Sequence, residues 1–119
     1  MPFTVRETRT YPDEVQVVYD AAVEAVAGLE GKVLKSDPDS AHLEAKFPKT
    51  IHGKVLGDRT QLVLQLRPTP DGQTVVQVEI FPLDAIGRKL LFGARKGVPE
   101  TVMKWFFAHL EHRLPSSKG

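Results

Sequence analysis

Residues 99–114 read Pro-Glu-Thr-Val-Met-Lys-Trp-Phe-Phe-Ala-His-Leu-Glu-His-Arg-Leu, and this stretch decides the fold. Its large apolar side chains recur every three or four residues, the spacing of one helical face. They are Met103, Phe106, Phe107, Leu110 and Leu114. Pro99 suits the first turn of a helix, and Pro115 ends the pattern. The stretch predicts a helix of about four turns, and the rest of the chain must supply the surface that buries its aromatic face.

A second helix is predicted from Pro12 to about Leu29, where apolar side chains again form one stripe. The stripe consists of Val15, Val18, Tyr19, Ala22, Val26 and Leu29. Thr10 and Asp13 resemble a capping box at the start of this helix. A strand is predicted before it, from Phe3 to Arg9, because Phe3 and Val5 alternate with polar residues.

Four further strands are predicted as two hairpins. Residues 32–35 and 41–47 flank the turn-forming run Ser-Asp-Pro-Asp-Ser at 36–40. Residues 59–67 and 74–81 alternate apolar and polar side chains on either side of a Pro- and Gly-rich turn. Each hairpin therefore has one apolar face that the helices can cover.

Two segments fit neither kind of element. Residues 48–58 are predicted to be a long connection in which Ile51 and Val55 could add a strand extension or a bulge. Residues 83–97 are too apolar for a free loop and too rich in glycine for a helix, so a bent segment or a short helical turn is expected.

The element order is β-α-β-β-β-β-α, which predicts an α+β fold. We expect an antiparallel sheet of four or five strands with two helices packed on one face. A single domain is predicted over residues 1–115, followed by a disordered tail at 116–119.

This order resembles the helix-grip folds of START-like and pollen-allergen proteins, and the half-repeat of the TATA-binding protein. It is also similar to small uncharacterised bacterial domains, and residues 18–22 and 37–45 carry that likeness. These residues form no functional motif, so the resemblance implies a fold but no site.

Composition and charge exclude several classes of protein. The chain is 41% apolar and 26% charged, and no apolar run approaches the ~20 residues of a membrane span. Its first residues lack the features of a signal peptide, which predicts a cytoplasmic protein. Cysteine is absent, which excludes disulfides, a thiol nucleophile and thiolate metal ligands. Residues 1–45 carry four Lys/Arg and nine Asp/Glu, whereas residues 46–119 carry twelve and six.

A basic, glycine-rich segment precedes the last helix and is the candidate anion-binding site. Its cations are Arg88, Lys89, Arg95 and Lys96. Arg and Lys side chains beside a helix N-terminus can bind a phosphate or a carboxylate. The segment lacks the P-loop ending and the dinucleotide fingerprint. The alternative is that its glycines make bends and its cations stay solvated.

A second basic stretch contains Lys46, Lys49, His52, Lys54 and Arg59, and it would share a positive patch with the first if both fell at one end of the sheet. The basic residues are not interleaved with exposed aromatic side chains for base stacking. Nucleic acid is therefore a disfavoured partner.

No catalytic constellation is evident. His109 and His112 lie one helical turn apart, but no His-Glu-x-x-His pattern supplies a metal site. The serines fall in turns or in the tail, and no nucleophile motif is present. The sequence therefore favours a non-enzymatic protein without a cofactor or a metal ion.

Three functions remain open. The first is a small binding domain that holds an apolar or amphipathic ligand between helix and sheet. A cavity of ~300 Å³ or more would support it, and it fails if side chains fill that volume. The second is binding of a phosphate ligand or nucleic acid through the basic 88–96 loop. The third is a homodimer or scaffold that pairs through an exposed apolar patch. The interface candidates are Leu90, Leu91, Phe92 and Trp105.

Overall fold

The computed structural model describes residues 3–118 and shows the expected α+β fold. Strands and helices follow one another in this order: β1 Val5–Tyr11, α1 Val15–Gly28, β2 Lys32–Asp37, β3 His42–Phe47, β4 Thr50–Ile51, β5 Lys54–Val55, β6 Arg59–Pro68, β7 Thr74–Leu83 and α2 Val98–Arg113. Within residues 3–118, none of the helices has both the length and the apolarity needed to cross a bilayer.

The main sheet has five antiparallel strands in the order β1-β7-β6-β3-β2. One face of it is apolar because the inward positions of β3, β6 and β7 are aliphatic or aromatic, as the alternation predicted, except for the buried Thr60 and Thr74. Both helices pack on this face, and together they form one buried core. The predicted fold class is therefore confirmed, and residues 50–55 add a small hairpin that pairs β4 with β5.

The expected capping box at the start of α1 is wrong. Thr10 lies inside β1, and the helix begins after Glu14, which makes no side-chain capping bond. The carboxylate of Asp13 instead accepts hydrogen bonds from the backbone N–H and the hydroxyl of Ser116. These contacts tie the start of α1 to the end of the chain.

The end of the chain is a short 3-10 turn, Pro115–Lys118. The hydroxyl of Ser117 donates to the carbonyl oxygens of Glu111 and Leu114. Gly119, the last residue of the predicted disordered tail, lies outside the described residues.

The segment between β7 and α2, residues 84–97, forms a turn followed by an extended stretch. Asp84 accepts the backbone N–H groups of Ile86 and Arg88, and Lys89 pairs back with Leu83. Gly97, at φ +82°, directs the chain into α2. Only a glycine takes this left-handed conformation without strain, so Gly97 fixes where α2 begins.

Candidate functional site

Side chains fill the space between α2 and the main sheet. Phe106, Phe107 and Leu110 on the underside of α2 are each 0% exposed, as are Val76 and Ile80 on β7, the strand against which α2 packs. An interior packed in this way leaves no room there for a ligand. Among the described residues, the depressions with room for a small molecule open on the surface instead.

The most apolar of these depressions is a groove of about 380 Å³ between α2 and the β4–β5 hairpin. We call it the α2–hairpin groove, and its lining residues are Leu29, Ile51, His52, Lys54, Trp105, Ala108 and His109. Leu29 and Ile51 are each 1% exposed. They form a floor that is anchored in the core, whereas Trp105 and Lys54 stand at the solvent side.

The hairpin is held in place by a tight turn and by contacts with the end of α1. His52 and Gly53 have φ angles of +50° and +79°, as the central residues of a two-residue hairpin turn of type I′ require. The backbone N–H of His52 donates to Glu30 Oε1 at 2.6 Å, and its Nε2 donates to the carbonyl oxygen of Gly28 at 2.6 Å. These bonds fix the wall of the groove that faces α2.

The opposite wall comes from one face of α2. Trp105, Ala108 and His109 share that face because they are three and four residues apart. The imidazole of His109 stacks on that of His52, with ring centroids 6.3 Å apart and an interplanar angle of 8°. The two walls therefore touch at one end of the groove.

The charges at the groove are simple. Burial lowers the pKa of His109 below its ordinary value of 6.5, and the positive charge of Arg113 lowers it further. Arg113 Nη1 lies 3.3 Å from Nδ1 of His109, which accepts its hydrogen bond. Lys54, whose Nζ is 5.8 Å from the centroid of Trp105, is the only Lys or Arg among the described residues that line the groove. The groove thus combines an apolar floor, one aromatic wall and one cation.

Sequence reasoning placed Trp105 at an interface but missed the groove. The available signal was the run Ile-His-Gly-Lys at 51–54, an apolar residue followed by a hairpin-turn pair. The sequence could not show that this hairpin stands against α2, since the bonds that place it come from the end of α1.

The four predicted anion-binding cations do not share one depression. Arg88 and Lys89 line one of about 390 Å³, and Arg95 and Lys96 line another of about 260 Å³ beside the start of α2. Arg88 Nε lies 3.3 Å from Asp84 Oδ2, and Lys89 Nζ lies 4.5 Å above the ring of Phe81.

The two basic loops do meet at one end of the sheet, as the sequence analysis considered. Asp58 Oδ2 accepts the backbone N–H of Arg95 at 2.7 Å, and the Arg95 side chain lies against Gly57. Arg59 donates to the carbonyl oxygens of Asp84 and Ala85. The Arg59 side chain and the Arg95 backbone therefore hold the two loops together.

The predicted interface residues also separate. Leu90, Leu91 and Phe92 line the depression that contains Arg88, whereas Trp105 lines the α2–hairpin groove. Leu91 is 50% exposed and Phe92 is 84% exposed. None of the described depressions joins these residues to Trp105.

A polar cluster that the sequence analysis did not predict joins β1 to α2. Tyr11 donates its hydroxyl to Glu111 Oε2 at 2.6 Å, and Arg9 Nη1 donates to the same oxygen at 2.6 Å. Burial, with the Glu111 carboxylate, raises the pKa of Tyr11, and the Tyr11 hydrogen bond lowers the pKa of Glu111. Both shifts hold the proton on the tyrosine, so the cluster connects the two elements and is not set up to transfer protons.

Within residues 3–118, no three His, Asp or Glu side chains gather in a way that could hold a metal ion.

Comparison with known proteins supports the fold alone. No protein-family profile matches the chain, and no curated sequence matches it. Among solved structures, the chain is similar to the di-domain ARO/CYC StfQ from the steffimycin biosynthetic pathway, with 10% identity and a TM-score of 0.60. That match covers 89% of this chain but spans only 43% of the StfQ chain.

Two similar structures match along nearly their whole length. Ara h 8.0201 gives 11% identity and a TM-score of 0.59 over 92% of this chain and 96% of its own. A protein from Mesorhizobium loti gives 19% identity and a TM-score of 0.58 over 92% of this chain and 95% of its own. The predicted weak resemblance to helix-grip folds and small bacterial proteins is therefore confirmed as a likeness of fold.

Proposed function

We propose that this protein is a small, non-enzymatic binding domain that holds an amphipathic molecule in the α2–hairpin groove. The observation that carries the proposal is the groove itself. It offers a buried aliphatic floor, an indole wall and one cation in about 380 Å³. Ligand sites are concave, mostly apolar and equipped with a few polar groups that orient the ligand, and their usual volumes begin near ~300 Å³.

The apolar part of the ligand belongs on Leu29, Ile51 and Trp105. An anionic head belongs at Lys54, because His52 donates its Nε2 proton to the backbone and the lowered pKa of His109 keeps that imidazole neutral. A carboxylate or sulfonate on an aliphatic or aromatic body satisfies both ends. The expected cleft between helix and main sheet is filled by side chains, so that part of the prediction is wrong. The proposed site is instead a surface groove between α2 and the β4–β5 hairpin.

The chain's single tryptophan makes this proposal directly measurable. Anilinonaphthalene sulfonate has an aromatic body and an anionic head, and it accepts energy from an excited indole. We expect saturable energy transfer from Trp105 to this probe, and displacement of the probe by decanoate. Decanol should displace it more weakly, since it lacks the charge that Lys54 pairs with.

Two matched variants test the position of the site. Ala108 and His112 are both exposed on α2, one turn apart, and only Ala108 lines the groove. Ala108→Glu should abolish probe binding, whereas His112→Glu should leave it intact. Lys54→Gln should weaken the binding of decanoate by roughly fivefold and leave the binding of decanol unchanged. Equal binding by the Ala108→Glu and His112→Glu variants would refute the site.

The cytoplasmic location and the single domain over 1–115 remain predictions from the sequence.

A further inference from the structure

The loop of residues 86–96 exposes large apolar side chains that no part of the described chain covers. Phe92 is 84% exposed, Ile86 is 72% exposed and Leu91 is 50% exposed. Exposed apolar residues that are scattered singly need no explanation, but three in one loop mark a surface that meets something apolar.

The loop is held in a defined shape by the sheet end below it. Asp84 accepts the backbone N–H of Arg88 at 2.8 Å, and Leu90 donates its N–H to the carbonyl oxygen of Pro82 at 2.8 Å. Farther along, Asp58 accepts the N–H of Arg95. Because the backbone bonds point inward, the apolar side chains are presented outward.

Positive charge surrounds these apolar side chains. Residues 85–99 contain Arg88, Lys89, Arg95 and Lys96, and the carboxylates Asp84 and Glu100 border this run at its two ends. Arg88 keeps 75% of its side chain exposed despite its contact with Asp84. Arg88 and Lys89 share one depression with Leu91 and Phe92.

We propose that the 86–96 loop docks on the surface of an anionic lipid bilayer. Phe92, Leu91 and Ile86 enter the boundary between headgroups and acyl chains, while Arg88 and Lys89, which share a depression with Leu91 and Phe92, pair with lipid phosphates. Apolar side chains and basic residues on one surface are the combination that holds a protein in the plane of an anionic membrane.

Charge favours a bilayer over a second copy of the chain. A symmetric dimer through this loop would bring Arg88 and Lys89 of both copies together at one interface, and like charges placed face to face oppose association. The nearby carboxylates Asp84 and Asp58 already accept hydrogen bonds within their own chain. The phosphates of an anionic bilayer carry the opposite charge, so they attract the cations of this loop.

The test is co-sedimentation of the full chain with vesicles of phosphatidylcholine that contain roughly one-third phosphatidylglycerol. We expect binding to these vesicles, no binding to pure phosphatidylcholine, and release at ~0.5 M NaCl. Phe92→Ser should weaken vesicle binding roughly tenfold. The double variant Arg88→Gln and Lys89→Gln should weaken it roughly twentyfold. Val55→Ser is the matched control, because Val55 is 76% exposed but lies on the β4–β5 hairpin, outside the 86–96 loop.

Four results would overturn the proposal. Three of them are no binding to the anionic vesicles, equal loss of binding in the Phe92→Ser and Val55→Ser variants, and displacement of the bound protein by soluble glycerol phosphate. The fourth is a dimer in sedimentation velocity that Phe92→Ser abolishes, which would assign the loop to self-association. Insertion is measured with the double variant Phe92→Trp and Trp105→Phe, which moves the single tryptophan into the loop. The fluorescence emission of this tryptophan should shift to the blue only when the anionic vesicles are present. Because the loop and the α2–hairpin groove share no residue, either proposal can fail without the other.

Discussion

Arg9 on β1 and Glu111 on α2 are joined by a hydrogen bond of 2.6 Å although they are 102 residues apart in the chain. The guanidinium carbon of Arg9 also lies 4.3 Å from the ring centroid of Phe107. The edge strand is therefore tied to the helix that covers the core by both charge and aromatic contact.

Replacing Arg9 with Ala should lower the free energy of unfolding by about 1 kcal/mol, because its ion pairs with Glu111 and Glu7 and its cation–π contact are lost. The Arg9 side chain is 38% exposed, which limits the loss through solvent screening. Urea unfolding measures the difference. Arg6→Ala is the control on the same strand, since Arg6 is 65% exposed and, among residues 3–118, forms an ion pair only with Glu79 across the outer face. An effect of Arg6→Ala as large as that of Arg9→Ala would contradict this assignment.

Two buried threonines should respond in opposite directions to replacement by Val. Thr60 and Thr74 are each 0% exposed, but Thr60 Oγ1 has no partner among the described residues. Thr74 Oγ1 donates to the carbonyl oxygen of Asp13 at 2.7 Å. Thr60→Val should therefore stabilise the protein by about 1 kcal/mol, and Thr74→Val should destabilise it by about 1–2 kcal/mol. Thermal unfolding of the two variants decides the matter, and destabilisation by Thr60→Val would show that its hydroxyl is satisfied.

Two glycines at the end of α1 differ in what a methyl group would meet. A Cβ on Gly31 would lie 2.6 Å from Cε1 of the buried Phe47, which cannot move without disturbing the core. A Cβ on Gly28 would meet the ends of the Arg113 and His109 side chains. Gly31→Ala should cost about 1–3 kcal/mol through overpacking. Gly28→Ala should change the free energy of unfolding by no more than about 0.5 kcal/mol, because the Arg113 side chain can move aside and alanine favours the helix. Equal losses in urea unfolding would argue against this packing.

Two histidines should give opposite dependences of stability on pH. His42 donates to Glu44 at 2.7 Å and to Gln65 at 2.9 Å, and these bonds raise its pKa above 6.5. Its stabilising contribution is complete below pH 6.5 and is lost as the pH rises through the higher folded-state value. The pKa of His109 is lowered, so its contribution is present above pH 6.5 and is lost as the pH falls toward the lower folded-state value.

Urea unfolding of His42→Gln and His109→Gln between about pH 5 and about pH 8 tests both signs. Relative to the wild type, His42→Gln should be most destabilised at the acid end. The His109→Gln variant should instead recover relative to the wild type as the solution is acidified. Parallel curves for the two variants would show that the two imidazoles do not differ as described.

The sheet and its covering helices were predictable because alternation and helical spacing are local signals. Leu62, Leu64 and Leu66 could face only one way on β6, and the apolar faces of the two helices had to cover that side of the sheet. The inward-facing positions of β1 do not follow the apolar alternation of the other strands, because polar Glu7, Arg9 and Tyr11 point toward the helices. Glu7 pairs with Arg9, and Arg9 and Tyr11 share the partner Glu111, which lies far along the chain. No local signal therefore showed that this polar run would be satisfied.

The α2–hairpin groove depended on contacts that sequence patterns do not carry. Trp105 could be recognised as a large side chain at the margin of the helical face, but its neighbours could not. His52 reaches the groove only because Gly28 and Glu30 hold it there. The sequence therefore supplied the elements of the site and left their arrangement to the fold.

The most direct test of the central claim is backbone and indole NMR of the labelled protein during titration with decanoate. We predict saturable shift changes at the Trp105 indole N–H and at the amides of Ile51, Lys54 and Ala108, with little change at Leu62 or Leu64 inside the core. Shift changes centred on the core residues of β6 and β7, with the indole signal unmoved, would place the ligand beneath α2 and contradict the account.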